Sequence, residues 1–288
     1  MTITLLHPGE MGAAVGGCLV SRGVRVVWAS EGRSSASGQR AHDAGLEDLK
    51  TLDCALAQSD AVLSICVPSG AFDVAREVAT RDFHGIYIDA NAISPAHTRE
   101  IGEMLESGGA SFVDGGIIGL PPTPTRITRL YLAGLKAAEI AALFAGSQTE
   151  GIAMDGAIGA ASALKVCYAA WSKGETALLG IIRSLALFEG VDQALLKEWN
   201  DSQPGVAQKS EQIAARARKA WRWSGEMEEI AASFDAANLP SGFLANAEIY
   251  HRLAGFKDCP QLPSSEEVSR RLREASQTTI NASAHNAR

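Results

Sequence analysis

At 288 residues the chain is long enough to fill the cores of two domains. Hydrophobic residues make up 46% and charged residues 20%, the balance of a globular protein, and a formal net charge of −7 argues against nucleic acid or anionic membrane as the main partner. The N-terminus shows no basic region and no small-residue cleavage site, and the apolar stretch 156–190 is interrupted by Lys165, Lys173, Glu175 and Arg183. Neither a signal peptide nor a membrane span is therefore expected. The five cysteines, Cys18, Cys54, Cys66, Cys167 and Cys259, are scattered and lack metal-ligand spacing, so they read as reduced thiols of a cytoplasmic protein, with no metal site. Cys167 is assigned to core packing.

In chain order, residues 3–6 form a short apolar strand that runs into His7-Pro8-Gly9-Glu10-Met11-Gly12, followed by a small-residue helix over 13–22 and a second strand over 24–28. Strand, glycine turn, helix, strand is the opening unit of a dinucleotide-binding fold, in which helix N-terminal amides hold a pyrophosphate. In the G-x-G-x-x-G register His7 stands for the first glycine, while Gly9 is free to let the backbone approach phosphate and Gly12 to let helix and strand pack closely. Residues 9–12, Gly9, Glu10, Met11 and Gly12, are thus candidates for cofactor binding. After the second strand, Ala29 and Ser30 stand where an acidic residue would grip a ribose 2′-hydroxyl. Small residues there leave room for a 2′-phosphate, for which Ser30, Arg33 and Ser34 are the candidate ligands. NADP is the expected cofactor, and Glu31 keeps NAD open; a solvated turn is the plain alternative.

Strands are expected over 61–67, 86–89, 111–114 and 129–133, with helices over 72–79, 95–106 and 136–144 between them. Apolar strands alternating with helices predict an α/β, doubly wound parallel sheet of Rossmann type over residues 1–155, with ligands at the carboxyl ends of its strands. Those ends carry Val67-Pro68-Ser69, Asp89-Ala90-Asn91 and Asp114, and the glycines and prolines of 115–124 predict a pocket-shaping loop. Ser94 is the expected N-cap, with Pro95 at the first helical position.

Beyond residue 156 no strand pattern is evident, so 156–275 is expected to be a helical domain and the polar tail 276–288 to be disordered. Its first helix, 156–190, has apolar residues all round the helical wheel. That pattern predicts burial on every side, completed by a second copy of the chain in a homodimer. At helical spacing Ala161, Ser162, Lys165, Tyr168 and Ser172 share one face, setting an ammonium and a phenol side by side past small residues. Lys165 and Tyr168 are the candidate proton-handling pair; a snorkelling surface lysine is the plain alternative.

Gly9-x-Met11-Gly12, Val67-Pro68, Asp89-Ala90-Asn91-Ala92-Ile93-Ser94-Pro95, Phe112-Val113-Asp114 and Gly159 six residues before Lys165 occur in one order. In these motifs the chain resembles the beta-hydroxyacid dehydrogenase superfamily, which includes 3-hydroxyisobutyrate and 6-phosphogluconate dehydrogenases and their imine reductase relatives. The resemblance implies Lys165 as acid/base, cofactor contacts from Val67, Pro68 and Asn91, and substrate contacts from Ile117, Ile118 and Gly119. Three positions depart from the family pattern: His7 replaces a glycine, Ile118 a serine of the substrate loop, and Ala169 an asparagine one turn after the lysine.

Three functions follow. An NADP-linked oxidoreductase would move a hydride between nicotinamide and a small alcohol or carbonyl substrate, with Lys165 exchanging the proton and Tyr168 sharing or orienting. Imine reduction on the same scaffold would suit an apolar site. A non-catalytic dinucleotide sensor would need the nucleotide fold alone.

Overall fold

The computed structural model describes residues 1–274. It comprises two compact units, Met1–Tyr168 and a second beginning at Ala169.

The first unit is built as β1 (Thr2–Leu5), α1 (Glu10–Ser21), β2 (Arg25–Trp28), α2 (Ser35–Asp43), β3 (Glu47–Asp48), α3 (Leu52–Leu56), β4 (Ala61–Ser64), α4 (Ala71–Ala79), β5 (Ile86–Asp89), α5 (Pro95–Ser107), β6 (Ser111–Ile118), β7 (Thr128–Ala133), α6 (Ala137–Ala142) and β8 (Thr149–Ala153). The start of α7 (Ala160–Phe188) completes it. The strands form one eight-stranded sheet in the order β3-β2-β1-β4-β5-β6-β7-β8. Every pairing is parallel except β6 with β7, so the doubly wound parallel sheet expected from the sequence is present, with its last two strands reversed.

Alternation along the strands divides the core into two layers. Ile3, Leu5, Leu63, Ile88 and Val113 face a cluster with Val15 and Leu19 of α1 and Phe144. Val62, Tyr87 and Phe112 face a cluster with Val78 of α4 and Ile101 and Leu105 of α5. Burial of both faces is why these strands read as continuous apolar runs. Ser94 caps α5, its hydroxyl accepting from the His97 amide at 3.3 Å, with Pro95 at the first position as expected.

The sequence reading of 115–124 as a loop is corrected: β6 continues through Ile118. Two glycines break strand propensity there, but antiparallel pairing to β7, with Gly115 opposite Leu132 and Gly116 opposite Tyr131, occupies the backbone. Both glycines are required by close approach. A Cβ on Gly115 would stand 2.8 Å from the Asp89 carbonyl oxygen, and one on Gly116 would stand 2.5 Å from that of Ala161. The strand at 61–67 is shorter than expected, ending at Ser64, and α2, β3, α3 and β8 were not anticipated. The domain break also falls later than residue 155, inside α7, because the first turns of that helix are bonded to β6.

The described part of the second unit is helical, as expected: the rest of α7, then α8 (Asp192–Ser202), α9 (Val206–Ser210), α10 (Gln212–Arg216), α11 (Ala220–Ala236), α12 (Phe243–Arg252) and α13 (Ser265–Arg273). A buried ion pair ties α7 to α8, the Arg183 Nε donating to Asp192 Oδ1 at 2.5 Å while Nη1 donates to Ser210 at 3.0 Å. Lys173 pairs with Glu226 of α11 and lies 5.6 Å from the ring centre of Trp223. The Tyr250 hydroxyl of α12 donates to the Lys173 carbonyl at 2.6 Å.

Within a single chain α7 is not buried on every side: Trp171, Leu178, Ile181, Leu185 and Phe188 are exposed, at spacings of seven, three, four and three residues, so one stripe of the helix is uncovered. Cys167, assigned to the core, is exposed as well. The tail at 276–288 lies outside the described residues.

Candidate functional site

Register sets the floor of the site. Leu5, Leu63, Ile88 and Val113 are aligned across the four central strands. Extending each chain two residues past this row brings His7, Ile65, Ala90 and Gly115 to the carboxyl edge, where open α/β sheets bind ligands. One step further are Pro8, Cys66, Asn91 and Gly116.

The glycine turn follows β1. Its first bond runs from the Gly9 amide to the His7 carbonyl at 2.8 Å. Gly12 is required by that same carbonyl, which a Cβ would meet. A Cβ on Gly9, by contrast, would meet nothing within 4 Å, so the space above it is open. No side-chain cap bond forms at the N-terminus of α1, where first-turn amides have no partner within the helix. Glu10 is exposed on the first turn, and Met11 is half-buried against the core. Arg40 of α2, which the sequence reading passed over, donates from Nε to the Pro8 carbonyl at 2.9 Å and fixes the turn from the side.

Beside the turn, after β2, Ser30 is half-buried and Arg33 and Ser34 are exposed. Ser34 is the N-cap of α2, its hydroxyl accepting from the Ser37 amide at 3.2 Å. A cavity of about 530 Å³ opens here, lined among others by His7, Ala29, Glu31, Arg33, Leu52 and Val74. His7 Nδ1 is buried and has no hydrogen-bond partner. Burial, with Arg33 nearby, lowers its pKa to about 4, so the imidazole is neutral at physiological pH.

Asn91 is buried, and its amide is fully engaged. Oδ1 accepts from the Cys66 amide at 2.6 Å, and Nδ2 donates to Ser64 Oγ and Asp89 Oδ2, each at 3.0 Å. Asp89 Oδ1 accepts from the Asn91 amide at 2.9 Å. This clamp joins the ends of β4 and β5 and holds the Cys66-Val67-Pro68 turn from beneath, leaving Val67 exposed at the rim. Burial raises the Asp89 carboxyl to about 7, against the Asn91 bonds that favour its charge and with the Asp114 charge adding to the rise.

Asp114 is buried and organises the start of α7. Its carboxylate accepts from the amides of Gly159 at 2.9 Å, Ala161 at 2.8 Å and Ser162 at 3.1 Å, and from Ser162 Oγ at 2.6 Å. Burial raises its pKa and these bonds oppose the rise. Negative charge at a helix N-terminus is favourable, and the bonds fix both the axial position and the rotation of the helix. The Thr98 and Ser162 hydroxyls, 2.8 Å apart, brace it from α5.

Gly116 then admits the helix against β6, with Ala161 and Lys165 lying over its α-carbon. Lys165 is half-buried beside that overhanging end of β6, while Tyr168 is 49% exposed. The small face at Ala161 and Ser162 serves strand contact and Asp114. Ile117 and Ile118 are buried, Ile117 within the sheet core, and only Gly119, at φ 131°, is exposed where the chain leaves the strand. The structure thus brings together the glycine turn, the Asn91 clamp and the Lys165-bearing turn along one sheet edge, and takes the two isoleucine side chains into the core. Asp89, Asp114 and Arg40 were missed as site-building residues, although a buried acid at the end of an apolar strand is a signal for a needed partner.

Among the described residues no cluster of side chains could hold a metal ion, and no helix is long and apolar enough to cross a membrane.

Residues 186–253 match a domain of unknown function, DUF1932. No curated protein matches the sequence. Among solved structures, a conserved protein of unknown function, described as structurally similar to 3-hydroxyacid dehydrogenases, is 26% identical over 90% of this chain and 100% of its own, with a TM-score of 0.67. The 3-hydroxyisobutyrate dehydrogenase of Mycobacterium tuberculosis, solved with L-serine, is 20% identical over 95% of this chain and 99% of its own, with a TM-score of 0.70. An imine reductase of Streptomyces aurantiacus is 16% identical over 95% and 100%, with a TM-score of 0.53. The last two likenesses are of fold, and they agree with the motif resemblance: the chain carries the fold of the beta-hydroxyacid dehydrogenase superfamily, with a DUF1932 domain in its C-terminal part.

Proposed function

We propose that the protein is an NAD(P)-dependent oxidoreductase of a small alcohol or carbonyl substrate, with Lys165 as its acid/base. The observation that carries this reading is the bare α-carbon of Gly116. It brings the Lys165-bearing turn onto the one strand that overhangs the carboxyl edge, in line with the glycine turn.

The residues fit a nicotinamide dinucleotide. Open space over Gly9 and the uncapped amides of α1 suit the pyrophosphate. The cavity lined by His7, Ala29 and Arg33 suits the adenosine end, and Arg33 with Ser30 favours NADP over NAD. Ser34 would assist through the α2 N-terminus that it caps, since its hydroxyl is already engaged. Bound there, the nicotinamide would supply hydride chemistry.

The chain's own part is positional and protic. Asn91 acts by holding the Cys66-Val67-Pro68 turn as a wall for the cofactor, since its own amide is fully engaged. Val67 and Pro68 present that wall. Lys165 Nζ gives a proton to the substrate oxygen in reduction and takes it back in oxidation. Tyr168, exposed on the next turn, orients the substrate or shares the proton. Gly119, where β6 ends, is the substrate-side backbone that a carboxylate would meet. Ile117 and Ile118 act as the floor beneath it, so an apolar lining from their side chains no longer favours imine chemistry. The protein is expected to work in the cytoplasm as a homodimer, the uncovered stripe of α7 meeting its counterpart in a second copy.

The test is Lys165→Ala with a panel of small hydroxyacids, aldehydes, ketones and cyclic imines, offered with NADPH or NADP. Turnover is expected to fall by about 10²–10⁴-fold with cofactor affinity retained. Retained turnover removes the lysine from the mechanism, and cofactor binding without turnover of any substrate by the wild type would favour a sensor.

A further inference from the structure

The imidazole of His7 has no role in the scheme above, yet it stands at the mouth of the nucleotide site. The His7 carbonyl organises the glycine turn, and the residue also lines the adenosine-end cavity together with Arg33. One ring nitrogen is buried there without a partner. A glycine at this position would leave the cavity wider and without an imidazole, so the ring has a consequence for whatever occupies it.

We propose, resting on the dinucleotide reading above, that His7 is a specificity-determining residue which joins Arg33 in holding the 2′-phosphate of NADP(H) and takes up a proton as that phosphate seats.

The charged groups around the ring decide the direction. From the turn after β2 come Glu31 and Arg33, from α3 Asp53, and from α4 Glu77 and Arg81. Arg81 is already paired, at 2.7 Å with Asp53 and 3.4 Å with Glu77, which leaves that group of three with one net negative charge. Arg40 is held on the Pro8 carbonyl and on Ser37. Among these groups Arg33 is the one whose charge bears on the ring, and with burial it keeps the free enzyme's imidazole neutral. A phosphate drawn to Arg33 reverses that effect: its negative charge outweighs the single positive charge of Arg33 at the ring, and the protonated ring becomes a second donor to the same anion. NAD(H) brings no charge to this position and leaves the ring neutral.

The sign follows from linkage. A ring that titrates near 4 when free and returns toward an ordinary 6.5 when the phosphate is bound strengthens binding only where the bound form is protonated and the free form is not. The gain is about 4-fold at pH 6, about 30-fold at pH 5 and none at pH 8. The phosphate's own titration runs the other way, but it is common to any variant and cancels in a ratio.

The experiment measures dissociation constants of NADPH and NADH by cofactor fluorescence at pH 6 and 8, for the wild-type chain and for His7→Gln and His7→Gly. Oxidised cofactors are used at pH 5 by calorimetry, because the reduced forms decay in acid. Wild type is expected to bind the phosphorylated cofactor more tightly than His7→Gln by the factors above, with the advantage gone at pH 8 and absent for NAD(H) at every pH. Calorimetry at pH 6 in two buffers of different ionisation enthalpy should show more proton uptake by wild type than by His7→Gln when NADP binds. Equal pH dependence in wild type and both variants overturns the proposal. An equal effect on NAD(H) also overturns it, because the responding charge would then be the pyrophosphate. If wild type binds neither cofactor, the dinucleotide reading itself falls, and if it binds both without a His7 effect, that reading stands and this one does not.

Discussion

A single methyl group at position 116 should part the lysine-bearing turn of α7 from the sheet. The added Cβ of Gly116→Ala would lie 2.5 Å from the Ala161 carbonyl oxygen, 3.1 Å from its carbonyl carbon and 3.2 Å from the Lys165 Cβ. The strand cannot yield easily, because Gly116 is paired to Tyr131 of β7, so the shift falls on the helix. Reaching a contact of about 3.2 Å to the carbonyl oxygen requires a displacement of about 0.7 Å. Overpacking of this kind costs about 1–3 kcal/mol. The helix is also held by four bonds to Asp114, which resist that same movement. Misplacing a catalytic group by about 1 Å can cost about 100-fold in rate, so a 10-fold to 100-fold fall in kcat is expected. Cofactor affinity should be unchanged, since Gly9 and Gly12 are untouched. Denaturant melts give the stability, and steady-state kinetics with the best substrate of the panel give the rate. A variant with wild-type stability and wild-type kcat would refute the claim that the close approach at Gly116 sets the position of Lys165.

Three further outcomes are expected. Arg33→Ala should weaken NADPH binding by about tenfold or more while changing NADH binding less than about twofold, measured by fluorescence titration at neutral pH; equal losses would take the 2′-phosphate away from Arg33. Asp89, with a folded value of about 7 above its unfolded value, contributes stability that is complete below about pH 4 and is lost as pH rises to 7, at about 1.4 kcal/mol per unit and about 4 kcal/mol at most. Wild type should therefore lose stability relative to Asp89→Asn across that window in urea melts, with no further divergence above pH 8; a difference independent of pH would refute the raised value. Leu178→Glu with Leu185→Glu, at positions 56% and 62% exposed in one chain, should weaken self-association at least about 100-fold in sedimentation experiments if the stripe is the dimer surface. A wild type that sediments as a monomer would refute that surface outright.

The first half of the fold was legible because burial on both faces writes itself as apolar runs, as at 61–63 and 86–88, and because Ser94-Pro95 marks a helix start by local chemistry alone. The elements that escaped are those whose reason is not local. Helix α2 is polar, with only Ala41 buried, and β3 is two residues long, so neither has a periodic pattern to read. Gly115 and Gly116 look like a loop in sequence and are strand in space, because the need for them comes from the Asp89 carbonyl and the Ala161 carbonyl, both remote along the chain. At the candidate site, the glycine turn between β1 and α1 and the place of Lys165 on a helix were readable from spacing. The engagement of Asn91 was not, since an amide's partners depend on which strands become neighbours. The stripe on α7 has a similar limit: apolarity says that a face wants cover, and not whether the same chain supplies it.

The Cys66 turn has a practical outcome for chemical labelling. Burial, with the Asp89 charge adding, pushes that thiol up to about 12, so near neutrality it is almost wholly protonated and a poor nucleophile toward alkylating reagents or peroxide. Cys54 and Cys167, both exposed, present the accessible sulfurs. A fluorophore can therefore be attached to the helix near Lys165 without touching the Cys66 turn, and oxidants should spare that turn while modifying the surface.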